Sequence, residues 1–260
     1  MDVSHWSAAN RLKLNAEKTE LLWAGSQYVL ASLGDNRPAL QLAADTVVAS
    51  DHVRLLGVTI SSDLSLQKHV STVCATCFYW LRQLSRVRRS IDTESAKILV
   101  HAFVTSRVDY CNAVLAGTTK AITDKLQRVL NAAARLITGT RKFDRGLSQL
   151  LHSDLHWLDV PQRVRYKLGV TTHRCLQHKA PRYLVDCCTS VAEVPGRRNL
   201  RSANRQQLFV PRYRRSAFGP RAFSVAGPRA WNALPGVLRD PTRSSDSFRS
   251  TLKTFLFAEH

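Results

Sequence analysis

Converging carboxylates, metal-ligand clusters and activated nucleophiles are what make a chain catalytic, and this sequence offers them sparsely. Two-metal phosphoryl transfer needs acids that hold ions ~3.5–4 Å apart. Asp45, Asp51, Asp63 and Asp154 each stand alone in a turn or at a helix entry, where a carboxylate serves as a cap or turn residue. Cys74 and Cys77 have Cys-x-x-Cys spacing, but no second Cys/His pair follows at finger spacing. Both fall on the apolar arc of a helical pattern, so a packed pair of thiols is favoured over zinc. Cys175, His178, Cys187 and Cys188 form a looser cluster, in which a metal is the weaker alternative. His152 and His156 stand either side of Leu155 with no Ser or Cys at a nucleophile elbow to partner them, so they are expected to pack or cap.

Cations are the abundant chemistry. The chain has 38 Lys and Arg against 19 Asp and Glu, a net charge of +19. Such a surplus selects partners rather than a fold, and the usual partners are nucleic acid or an anionic membrane. No apolar run approaches the roughly 18 residues that span a bilayer. The first residues, Met-Asp-Val-Ser-His-Trp, lack the basic and apolar regions of a secretory signal. The six cysteines mostly sit in apolar helical patterns, which suits reduced thiols. The expected location is nucleus or cytoplasm, not secreted, with no membrane partner.

The cations must be positioned by elements, and the hydrophobic pattern outlines them. Residues 1–62 are mixed: an opening helix, a buried strand over 19–23, a turn at Gly34–Pro38, and strands over 39–43 and 53–60. Gly57 lies inside the last run, where glycine marks either a bulge or a close backbone approach. From Leu66 the period becomes 3.6. Helices are expected over 67–89, 93–107 and 121–138, the last stopped by Gly139, and from Pro161 to near His178. A short helix over 248–257 closes the chain.

Three of these helices oppose an apolar arc with an almost wholly positive one. The sets are Lys68, Arg82, Arg86 and Arg89; Lys125, Arg128 and Arg135; and Arg163, Lys167 and Arg174. Solubility is served by mixed signs, so three such faces suggest a phosphate track. Residues 196–239 then hold ten arginines, no lysine and no acid, interleaved with Phe209, Tyr213, Phe218, Phe223 and Trp231. Guanidinium planes and rings suit unpaired bases, and Arg197, Arg198, Arg201 and Arg205 are the expected contacts. The aromatics of "AFSVAGPRAWNALP" are expected to pack inward, held in turns by their Gly and Pro.

Five stretches in order carry a resemblance: "NRLKLNAEKTELLW" (10–23), "LLGVTISSDLSLQKHV" (55–70), "LNAAARLITGTRK" (130–142), "LHWLDVPQRVRYK" (155–167) and "GPRAFSVAGPRAWNALP" (219–235). Together they resemble the C-terminal part of reverse transcriptases from non-long-terminal-repeat retrotransposons of the jockey and chicken-repeat kind. The resemblance implies an α+β, mainly α chain: a small β palm remnant over 1–62, a helical thumb-like region over 63–150, and a helical, Arg-rich, turn-rich extension over 151–260. It places Lys18 near an incoming triphosphate, although the residue itself reads as a solvated turn lysine. It marks Leu56 and Gly57 as a primer grip. The Asp-Asp turn that holds two metal ions in such enzymes would precede Met1, so the chain would begin in mid-domain. The expected function is that of an RNA-directed DNA polymerase fragment, inactive alone, that keeps RNA- and DNA-binding surfaces for template and primer. No cofactor is expected for this chain, with Mg²⁺ implied for the complete enzyme. A host-adopted nucleic-acid-binding protein, or a translation with no selected role, stand as alternatives.

Overall fold

The structure is a computed structural model that describes residues 3–34, 38–42, 45–141, 143–196, 205–214 and 219–259. It is mainly helical, with two two-stranded antiparallel sheets, and it divides into two compact units, Met1–His69 and Val70–His260.

In the first unit, α1 (Val3–Ala9) and α2 (Gln27–Leu33) accompany two hairpins. Strands β1 (Leu40–Leu42) and β2 (Asp45–Val47) pair with Leu40 opposite Val47, and β3 (His52–Leu55) and β4 (Val58–Ser61) pair with Leu55 opposite Val58. The run expected as one strand over 53–60 is therefore two strands. Leu56 and Gly57 form the tip between them, at φ 46° and 83°. Two consecutive positive φ angles make the turn whose twist matches a hairpin, which is why the glycine stands there rather than at a bulge. The strand expected over 19–23 reduces to a single bridge from Leu21 to Ala49. Its neighbours make side-chain bonds to other segments: the Thr19 hydroxyl donates to Asn15 O at 2.8 Å, and Trp23 Nε1 donates to Pro38 O at 3.0 Å.

The second unit is built on long helices. The expectation over 67–89 is met by α3 (Gln67–Val87) and a 3₁₀ turn, Arg88–Ser90. Asp92 caps α4 (Thr93–Val100) by accepting from Ser95 N, and a π turn at His101–Thr105 links it to α5 (Ser106–Asp109). Helix α6 (Lys120–Thr138) buries Leu126, Val129, Leu130, Ala133 and Ile137, and it ends at Gly139 with φ 73°, as its apolar spacing predicts. A short turn, α7 (Leu147–Gln149), leads to a second π turn. Helix α8 (Val160–Leu176) opens with Pro161 in its first turn and is followed by α9 (Arg182–Val185).

Two further helices pack on α8: α10 (Phe223–Asn232) and α11 (Ser245–Phe257). The aromatic segment expected in turns is thus largely helix α10, despite Gly227 and Pro228 inside it. The glycine is required by contact, because a Cβ at Gly227 would lie 3.0 Å from Thr172 Oγ1 of α8. Trp231 and Phe248 are fully buried, and His173 stacks on Phe248 with ring centroids 4.2 Å apart. Burying each Leu- or Phe-sized side chain contributes roughly 1.5–3 kcal/mol, so this cluster anchors the C-terminal helices.

Candidate nucleic-acid interface

The ends of α3 and α6 border an open groove of about 570 Å³. Arg82 and Arg89 enter it from α3 and the turn after it, Arg135 enters from α6, and Phe78 supplies a partly exposed ring. No carboxylate lines it among the described residues. Arg82 and Arg89 are exposed. Arg135 is half-buried, and its Nε–H has no partner among the described residues. Guanidiniums gathered without a counter-charge repel one another, and an entering phosphate relieves that repulsion.

Arg88 lies in the same groove with a different task, and nothing in the sequence singled it out. Its Nε donates to Leu136 O at 2.9 Å, and its Nη2 donates to Ile137 O at 2.7 Å. Its Nη1 reaches Ile91 O at 2.9 Å. The first two bonds satisfy carbonyls at the C-terminal end of α6, where the helix dipole is negative. Without that cation the carbonyl end would oppose a phosphate in the groove.

The remaining cations are distributed as follows. Arg86 is exposed outside the groove and donates to Gln83 Oε1 at 3.3 Å. Lys125 is half-buried and close enough to Cys74 to lower that thiol's pKa, although burial wins and pushes it up. Arg128 is exposed on the same helix. On α8 the three positions diverge. Arg163 is held inside the protein by Asp109 Oδ2 at 2.6 Å and Leu158 O at 2.7 Å, while Lys167 lines a separate cavity. Arg174 is exposed and donates to Lys179 O at 3.4 Å. The structure brings Arg82, Arg89 and Arg135 together but does not extend that groove along α8.

In the C-terminal segment, Arg205 is exposed in a turn, and Arg197, Arg198 and Arg201 lie outside the described residues. Tyr213 is taken up internally: its hydroxyl accepts from Arg229 Nη2 at 2.9 Å, with that guanidinium over its ring. Asn232 bonds both the amide and the carbonyl of Leu208 at 2.8 Å, which pins this segment to α10.

In the first unit, Lys18 is exposed in a 3₁₀ turn, and Lys68 Nζ lies 2.8 Å from a ring nitrogen of His52. Leu56, 82% exposed, stands with Gly57 at the hairpin tip. Asp63 accepts from Ser65 N at 2.9 Å, the turn role its context predicts.

Cys77 is buried, its thiol pushed up to about 12 chiefly by that burial. Cys175 and Cys188 are buried and share a hydrogen bond that, more than any other cause, lowers the pKa of the first and raises that of the second. Among the described residues, no three His, Cys, Asp or Glu side chains form a group that could hold a metal. No helix described is long and apolar enough to cross a membrane. Compared with protein-family models, curated proteins and solved structures, the chain matches none.

Proposed function

We propose that this chain is a nucleic-acid-binding part of an RNA-directed DNA polymerase of the non-long-terminal-repeat type, and that its α3–α6 groove holds the sugar–phosphate backbone. It carries no Asp-Asp pair anywhere in its 260 residues, so its part is to hold template and primer rather than to join nucleotides. The observation that supports the binding most directly is the gathering of Arg82, Arg89 and Arg135 around one groove with no lining carboxylate. Contacts of this kind position a strand without reading its bases, so the affinity is nearly independent of sequence.

Fluorescence anisotropy on matched RNA, DNA and hybrid duplexes tests the proposal. With about six phosphate contacts, affinity falls roughly 10³-fold between 50 and 200 mM salt. Replacing Arg82, Arg89 and Arg135 together by Gln weakens binding to every sequence alike and lowers the salt slope by about 2–3. A dissociation constant weaker than about 10⁻⁴ M at 50 mM salt, or an unchanged slope in the triple variant, overturns the proposal.

A further inference from the structure

A second concavity, of about 410 Å³, opens where α8 faces the stretch from the first π turn to Asn112. It shares no lining residue with the α3–α6 groove. Its volume is within the ~300–1,000 Å³ of small-molecule sites.

Three kinds of observation converge on it. The first is an unmet acceptor. Asn112 is only 6% exposed, and its Nδ2 donates to Asp109 Oδ1 at 3.4 Å. Its Oδ1 is buried and receives no donor among the described residues. A buried acceptor left this way bears its full desolvation penalty, which a ligand N–H relieves.

The second is charge. Arg163, Lys167 and Lys253 line the cavity against one carboxylate, Asp109. Asp109 pairs with Arg163, and Lys253 Nζ lies over the Phe257 ring at 5.6 Å, so among the described residues neither lysine has a carboxylate partner and both can meet an anion. A phosphate monoester carries about −1.5 to −2 at pH 7, which matches two ammonium groups. Trp157, with the Arg163 guanidinium 5.8 Å from its ring centroid, and Tyr166 add ring surface to the lining. Stacking on such rings tolerates any base.

The third is the backbone. The π turn His101–Thr105 contributes two lining residues. Cys111, just before Asn112, has φ 52°, and His156, just before Trp157, has φ 51°. Non-glycine residues in the left-handed region are strained, and strain of this kind clusters at binding sites, as π turns do.

We propose that this cavity binds a nucleotide bearing a phosphate monoester, with an N–H of the base on Asn112 Oδ1 and the phosphate on Lys167 and Lys253. A free nucleoside monophosphate and the phosphorylated end of a strand present the same chemistry.

Calorimetry on the full chain separates the cases. AMP binds at least tenfold tighter than adenosine or inorganic phosphate. Lys253→Gln, at an exposed position, weakens AMP about tenfold and leaves adenosine unchanged. Asn112→Leu reduces AMP to the affinity of inorganic phosphate, and if that variant does not fold, the Lys253→Gln comparison decides alone. A 5′-phosphorylated oligoadenylate that outbinds its 5′-hydroxyl twin, with the advantage lost in Lys253→Gln, assigns the strand end. AMP binding without that advantage assigns the free nucleotide. No phosphate-dependent binding of either probe at millimolar AMP, or indifference to Lys253→Gln, overturns the inference. AMP affinity lost in the Arg82/Arg89/Arg135 variant overturns it as well, by moving the site to the groove. AMP affinity retained in that variant while strand binding falls supports both sites separately.

Discussion

His173 illustrates how one residue can tie this fold to pH. Its ring lies against Phe248 in the core, and its pKa is lowered from the ordinary histidine value. Burial is the main cause. The charges of Lys179 and Arg249 add to it, while a bond to the Arg243 carbonyl and the charge of Asp240 oppose it. A depressed histidine pKa means that the unfolded chain takes up the proton more readily. Stability is therefore fully present above pH 6.5, the ordinary histidine value, and is lost as pH falls below it toward the folded pKa. The urea midpoint of the second unit should fall between pH 7.5 and 5.5, and His173→Phe, which keeps a flat ring, should flatten that fall. An equal fall in the variant would assign the sensitivity elsewhere. None of this was legible in the sequence, where His173 is one histidine among nine. One acid was more legible: Asp63 in a turn is what short-range side-chain bonding dictates, whereas the cap at Asp92 was not singled out before the fold showed it.

At the scale of elements, the long periodic helices were the readable part. Helices α3, α6 and α8 appear within a residue or two of their expected bounds, because an apolar arc that repeats every 3.6 residues has one face to bury. The failures share a cause. The 19–23 segment reads as a strand, but a strand needs a partner along its length, and Leu21 finds only Ala49. Conversely, α10 reads as turns because local propensity disfavours Gly and Pro, yet packing of Gly227 against α8 overrides it. The groove was half legible: the cations of α3 and α6 could be listed, but not the role of Arg88 between them. That role makes a prediction. Arg88→Gln removes charge-assisted bonds to two α6 carbonyls and should cost about 2–3 kcal/mol in a urea unfolding experiment. Arg88→Lys should recover little of it, since an ammonium cannot reproduce the planar fork. A change below about 0.5 kcal/mol, the size of an ordinary surface substitution, would refute the capping role.

Taken as a whole, the molecule is unequal. The buried apolar side chains described in the first unit are Leu30, Val47, Val58 and Leu66, while those of the second fill the interior of a helical body. Two-stranded sheets are marginal without further strands or a covering helix. Amide exchange at Val53 and Ile60 should therefore be orders of magnitude faster than at Val129 and Leu130, and equal protection would contradict it. The net charge of +19 was fully legible, but its arrangement was not, since placing Arg82, Arg89 and Arg135 around one groove takes the folded chain.

A wall without carboxylates also lacks any means of refusal. With no acidic side chain among its described lining residues to repel a wrong polyanion, a groove that binds as proposed would discriminate poorly among ribosomal RNA, transfer RNA and heparin. If the groove binds as proposed, protein purified from a cell lysate will carry host RNA unless it is stripped in high salt, and its ratio of absorbance at 260 to 280 nm will reveal the cargo. A titration begun on such material measures exchange between two nucleic acids rather than filling of an empty site.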